Sequence, residues 1–595
     1  MAGLDREKTA RLNSGDEEFY FRLSDHVSRM VHAAGSPQTG AWCANIQTDG
    51  FRPIFFPPTS RTKKNIRADV RDEERFDLPI HVKTLTQTID LRRFTGILTS
   101  EQSRVWDDLK KYFTPEFYAG TSAEQHRLPT LSLSAMDAND LLAAGVAEPT
   151  HSPKLFCNAF TVNELAKSRR RCIHHPKTIN DSTEIPRIRL PNSADLAKLA
   201  TRHECVFAAD YTAFYYQFEL PPEIRDFFCF TAADGRTLRL TRLPMGVSFA
   251  CALAHFVSTV IADKVSSPHT SLTYIDNTIF FGSRVDLART RKNFLQLTAF
   301  LGVTVGECSD VDESAAFIGY EIDTKTKTLR NSEKTTRKFL DIDVSSITTL
   351  RRALQWFGKV MGLCRIHPEF LAQSFFLLKF YRRLCNKVQQ GAYLDNEITI
   401  WPSLAPSVQR LQQALGARRV VHLRDNTEQT TFVASDASDY GFGFSLVRSD
   451  TVFHWGRPWS SHERSLHINE KELLAVLLTL RVINPEDSEH FLWILDNTTA
   501  LATSCRGYSA TKSLNDIMAS VFREFPHFVQ RTRFLWVESA ANPSDGPSRG
   551  TFSFDPRDAW IALSTEHWRA RLGGGFIDYA HYMSGEDLEE AENTH

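Results

Sequence analysis

No stretch of this 595-residue chain approaches the ~20 consecutive apolar residues that a membrane span requires. The longest candidate, Leu473–Leu480, is a short run inside an amphipathic pattern. No signal peptide opens the chain, and none of its 10 cysteines forms a Cys-x-x-Cys pair. They are therefore expected to be reduced core thiols of an intracellular protein that does not engage membranes. Cys172-Ile173-His174-His175 is one compact cluster without a second ligand pair, so a structural role is expected there rather than zinc. No period of about 20 to 50 residues repeats, which excludes a solenoid. Charge of neither sign dominates: 70 Lys and Arg stand against 71 Asp and Glu. That balance excludes a uniformly basic nucleic-acid binder but not one with basic tracts. Phe160–Asn192 carries seven Lys/Arg against three acids, and Arg351–Cys385 carries seven against one. The last residues, Tyr582–His595, hold five acids and no Lys or Arg, which offsets those tracts in the total.

What is present is a globular composition, 42% hydrophobic and 24% charged, in a chain too long for one core. Residues 1–85 are rich in loop-forming Gly and Pro and are expected to be an extension without chemistry of its own. Helical spacing begins after Val82, as in Glu101–Phe113. From Pro153 the texture changes to strands. Lys154–Val162 and the segment after Lys167-Ser-Arg169-Arg170-Arg171 read as a hairpin with a basic turn, which could hold a triphosphate although such a turn taken alone is more often simply solvated. Cys205–Ala209 is a buried-strand run ending in Asp210, followed by the aromatic turn Tyr211–Phe218. Leu243-Pro244-Met245-Gly246-Val247 is a Pro/Gly loop before an apolar helix, where glycine allows backbone to approach a ligand closely. Ser271–Gly282 reads as two short strands joined at an Asp276-Asn277 turn. Helices follow over Leu287–Phe300 and Arg351–Leu384. Residues 391–429 read as a connection.

From Thr430 the order is β-β-β-α-β-α-β. Asp436 and Asp496 stand at strand ends, Glu472 near the start of a helix over Asn469–Ile483, and Asp545 in a late loop. Each acid alone fits a cap or turn. Together they suit a two-metal centre, and Asp210 with Asp276 suits a second one.

These residues resemble a retroelement reverse transcriptase followed by ribonuclease H, over roughly residues 145–550. The segments that carry the resemblance are Asp210–Phe218, Leu243–Gly246, Tyr274-Ile-Asp276-Asn277, Phe317–Tyr320, Leu354–Gly358 with Arg365–Phe370, and Asn542–Arg549. The Pro-Met-Gly-Val wording and the Asn542-Pro-Ser-Asp545-Gly-Pro-Ser-Arg549 ending are most similar to hepadnaviral polymerases and to tyrosine-recombinase, DIRS-like elements, VIPER-type among them. The resemblance implies an α/β multidomain fold: a right-hand polymerase of fingers, palm and thumb, a connection, and a ribonuclease H-like mixed sheet with helices. Its boundaries would be an extension at 1–85, fingers and palm at 86–335, thumb at 336–388, connection at 389–429, ribonuclease H at 430–550 and an acidic tail at 551–595.

By the same resemblance, Asp210 and Asp276 would ligate Mg2+ (Mn2+ as a substitute), two ions to a site, with Tyr211 and Asn277 beside them. Tyr215 would be the steric gate against ribonucleotides. Lys167 and Arg170 would hold the triphosphate, with Arg171 as the alternative, and Met245 and Gly246 would line the nucleotide site. Asp436, Glu472, Asp496 and Asp545 would bind the nuclease ions, with Glu470 the rival of Glu472. Implied partners are an RNA template, a DNA primer, RNA–DNA hybrid, dNTPs and other retroelement proteins. The sequence departs from the pattern in four places. Asn277 stands where a second Asp is usual, and Met245 where Gln is common. No lysine stands near Gly306-Glu307-Cys308, and no His precedes Asp545 within Glu538–Ala541. No aspartic-protease triplet, zinc knuckle or integrase constellation appears.

Overall fold

The computed structural model describes residues 78–82, 87–119, 132–164, 168–183, 188–423, 430–448, 451–486, 489–537, 539 and 542–551. The expected N-terminal extension, up to residue 77, and the acidic tail lie outside them, as does Lys167. The chain divides into two compact units. One comprises Ala68–Pro191 and His203–Ile318; the other comprises Asn192–Arg202 and Gly319 onward.

In the first unit, strands β1 (Asn158–Glu164) and β2 (Arg169–His175) form an antiparallel hairpin, as their spacing predicts. A four-stranded sheet is built from β3 (Cys205–Tyr211), β4 (Ser271–Tyr274), β5 (Asn277–Gly282) and β6 (Val305–Cys308), in the order β4-β5-β3-β6. The helices α1 (Ala250–Val265) and α2 (Arg284–Phe300) pack on it. Helix α2 starts where it does because the Ser283 hydroxyl accepts the Asp286 amide, a standard N-cap. The core runs through Phe207, Phe280 and Phe294; the Phe207 and Phe280 rings stack at 4.6 Å.

The second unit has one continuous core from Phe339 to Phe534, so the segments expected as thumb, connection and nuclease share it. Helix α3 (Leu350–Leu363) buries Leu350, Ala353, Trp356, Phe357, Val360 and Met361. Phe357 stacks on Tyr381 of α4 (Phe375–Gln389). The expected connection is not merely loop: α5 spans Ala405–Gly416 and buries Val408, Leu411 and Leu415. Its prolines sit before and within the first turn, where the missing N–H would have had no helical acceptor.

A five-stranded mixed sheet follows. Its strands are β7 (Thr430–Ala437), β8 (Gly441–Arg448), β9 (Thr451–Pro458), β10 (His490–Leu495) and β11 (Thr532–Trp536), ordered β9-β8-β7-β10-β11. The first three are antiparallel; β7, β10 and β11 run parallel. Helix α6 (Ile468–Ile483) lies on β7, and α7 (Thr498–Arg506), α8 (Lys512–Glu524) and the short α9 (Asp545–Ser548) complete the unit. Helices α7 and α9 are additions to the expected order. β10 is buried along its whole length, which is why it reads as a continuous apolar run.

Candidate active sites

In the C-terminal sheet, Ala434 pairs with Ile494 in parallel register, so Asp436 and Asp496 stand together two residues beyond that pair. Glu472 enters from α6. One carboxylate oxygen from each of the three lies within 4.8 Å of the others, the only such group among the described residues. Its rival Glu470 is used elsewhere: it accepts the His467 N–H in a capping box at the start of α6. Asp436 and Glu472 are 3% and 5% exposed. Burial, then the charge of Asp496, pushes the Asp436 carboxyl up to about 7. Burial and the charges of Asp436 and Asp496 push Glu472 up as well. Oxygens of Glu472 and Asp496 are buried without a hydrogen-bond donor. A divalent cation satisfies those oxygens and relieves the repulsion, so this donor set fits such an ion.

Asp545 does not join the three. Its Oδ1 accepts from Arg549 Nε at 3.1 Å and Nη2 at 3.0 Å, though its charge still reaches Asp436 and Asp496. The segment carrying it is seated by glycine. A Cβ at Gly443, opposite Asp436, or at Gly456 would run into the backbone of Pro547 and Ser548. Asn542 Nδ2, 3.4 Å from Asp436 Oδ1, is a polar neighbour that spacing arguments missed.

In the first unit, Asp210 of the central strand β3 pairs with Asn277 of β5. The turn is one residue earlier than expected: Tyr274 pairs with Asn277, leaving Ile275 and Asp276 at the tip. Ile275 has φ +58°, a strained value for a β-branched residue. The tip is held by its neighbours. The Tyr211 N–H donates to the Asp276 carbonyl at 3.1 Å, and the Ser258 hydroxyl of α1 donates to the Ile275 carbonyl at 2.6 Å. A β-bulge at Asp210/Tyr211 re-aims the chain at this point. Asn277 Nδ2 donates to Asp276 Oδ1 at 2.9 Å, taking up one carboxylate oxygen. The Tyr211 phenol is buried and stacks on Phe214, so only its main chain remains for a metal.

Arg170 is a correction. It is fully buried and its guanidinium forms a bidentate pair with Asp137, at 2.8 and 2.7 Å, with Leu78 O and Thr161 as further acceptors. Strand alternation puts Arg171 on the other face, ion-paired to Glu164 at 2.8 Å and within electrostatic reach of Tyr215. Gly246 is a second correction. Its φ is +115°, and a Cβ there would strike the His174 carbonyl, so the close approach is to β2 rather than to a ligand. The loop is clamped further. The His174 N–H donates to Met245 O at 3.0 Å, and Asn180 bonds Gly246 O and the Ser248 N–H at 2.8 Å each. Asn180 carried no sequence signal, because its partners are 66 and 68 residues away.

The five-stranded sheet with acids at its strand ends is of ribonuclease H-like type. Residues 403–486 match the family model described as an RNase H-like domain found in reverse transcriptase. The match begins ahead of the expected 430 boundary and takes in α5. No curated protein sequence matches the chain. Among solved structures, similarity is found to foamy viral protease-reverse transcriptase. In the dRH form with double-stranded DNA the identity is 15%, over 76% of this chain and 82% of that one, at TM-score 0.44. With double-stranded DNA it is 16%, over 76% and 98%, at 0.43. With RNA/DNA hybrid it is 15%, over 76% and 63%, at 0.42.

Proposed function

We propose that this chain is an RNA- and DNA-directed DNA polymerase with ribonuclease H activity, which copies retroelement RNA and degrades the RNA of the resulting hybrid. The observation that carries the reading is the Asp436–Glu472–Asp496 group, two of its three acids buried, on a ribonuclease H-like sheet. Divalent ions held there would activate water and stabilise the leaving oxygen of a phosphodiester. The residues' own part is to hold three carboxylates with little freedom to move, Asp436 and Glu472 buried and all three fixed by strand register and helix packing. Asp545 would complete the set on exchanging Arg549 for an ion. In the polymerase half, Asp210 and Asp276 would hold the ions that serve nucleotidyl transfer, while Tyr215 contacts the sugar and Arg171 the triphosphate. Among retroelements, a tyrosine-recombinase type is the placement that the Pro-Met-Gly-Val and Asn-Pro-Ser-Asp wordings favour.

The test is a pair of substitutions in the full chain. Asp210→Asn should abolish primer extension and leave hybrid cleavage; Asp436→Asn should do the reverse. Wild-type extension no better than Asp210→Asn would remove the polymerase half of the reading. A second reading, in which only the nuclease works, is favoured by one observation: the Asn277 amide occupies an Asp276 oxygen that a metal would need.

A further inference from the structure

The proposed chemistry uses Tyr215 but not the group its hydroxyl meets. The Tyr215 hydroxyl lies 3.2 Å from the Cys251 sulfur, within hydrogen-bond reach. Cys251 is in the first turn of α1 and is half-buried. Tyr215 sits in a short 3-10 turn, Phe214–Gln217, entered through Ala213 at φ +45°. Phe214 is fixed by Tyr211 and Phe218, and Tyr216 is buried in the core, whereas Tyr215 is only partly buried. Its phenol end is therefore positioned by what it bonds to. Around that end are Cys251, Asp276 and Arg171; burial and the first two push its pKa up, as expected of a hydroxyl that stays neutral. Tyr274, on the strand leading to Asp276, also feels Cys251 and Asp276. The thiol thus bonds one tyrosine and lies within electrostatic reach of a second.

We propose that Cys251 is a specificity-determining, positioning residue: its thiol holds the Tyr215 ring in place and so sets how strongly the polymerase rejects a ribonucleotide. This rests on the polymerase reading above. A ring pinned at its hydroxyl cannot swing aside when a 2′-hydroxyl arrives. A ring released from that bond can, and a lost hydrogen bond of ordinary strength corresponds to roughly three- to tenfold in relative rate.

The experiment measures kcat/KM for a dNTP and for the matching rNTP on the full chain, wild type against Cys251→Ala and Cys251→Ser. The expected result is a dNTP/rNTP ratio reduced roughly three- to tenfold in Cys251→Ala. The change should come mainly from a lower rNTP KM, with dNTP kcat retained. Cys251→Ser, whose hydroxyl still bonds Tyr215, should restore most of the ratio. Hybrid cleavage should be unchanged in both. An unchanged ratio in Cys251→Ala, or an equal loss in Cys251→Ser, overturns the inference and leaves the polymerase reading standing. No extension by the wild type overturns both. Should Cys251→Ala fail to fold, alkylation decides: iodoacetamide forms an S–CH2 bond at Cys251, with loss of iodide and the thiol proton. Primer-template with dNTP should slow that reaction; equal rates with and without them overturn the inference.

Discussion

Asp436 is held with its carboxyl pushed up to about 7, first by burial and then by Asp496. An acid whose value is raised on folding binds more protons folded than unfolded, so its contribution to stability is present at low pH and lost as pH rises through about 7. Without divalent ions the ribonuclease H-like sheet should therefore melt lower at pH 8 than at pH 5. Asp436→Asn should flatten that slope, and Mg2+ should offset it in the wild type; thermal melts in chelator and in Mg2+ check both. Asn277 poses the converse case. Its amide now donates a hydrogen bond to one Asp276 oxygen. Asn277→Asp would add a unit of negative charge beside the ions and should lower the Mg2+ needed for half-maximal extension roughly tenfold. An unchanged Mg2+ requirement would show that residue 277 does not face the ions. Arg170→Ala should act through stability. It strands Asp137 in the core at a cost of about 3–5 kcal/mol, seen as a fall in denaturation midpoint rather than as a selective rise in dNTP KM.

At the level of elements, two glycines set the sites. Gly443 makes room for the Pro547–Ser548 backbone and so brings the Asp545 segment over β7 and β8. Gly443→Ala should push α9 away, destabilise the unit by about 1–3 kcal/mol and reduce hybrid cleavage while leaving extension intact, measured on the same preparation. Gly246 does the same for the Met245 loop against His174. Element positions were largely legible. The strand under Asp210 appears as an apolar run because both faces are covered, and α6 is legible from its apolar spacing. Helix α5 was not, although Val408, Leu411 and Leu415 have helical spacing. Its prolines read as loop when they stand in a first turn that tolerates them.

At the scale of the molecule, the described residues form two hydrophobic cores, one spanning Ile80 to Val303 and the other Phe339 to Phe534. Calorimetry should accordingly resolve two transitions, and only the one belonging to the C-terminal unit should move with Asp436→Asn or with chelation of Mg2+.

Local pattern was enough to mark the acids: a carboxylate ending a buried strand is costly unless it has work to do, so Asp210, Asp436 and Asp496 stand out from the apolar runs before them. It was also enough to choose the strands and most helices, because period and capping are properties of neighbouring residues. Pairing between distant segments settled the rest. Register moved the hairpin tip from Asp276-Asn277 to Ile275-Asp276. Asp137, 33 residues upstream, drew Arg170 into the core and left Arg171 outside. Parallel pairing of β7 with β10 gathered Asp436 and Asp496, and the packing of α6 added Glu472, while Arg549 held Asp545 apart. Those outcomes depend on which surfaces meet, and burial and hydrogen bonding between distant segments are fixed only when the chain is packed.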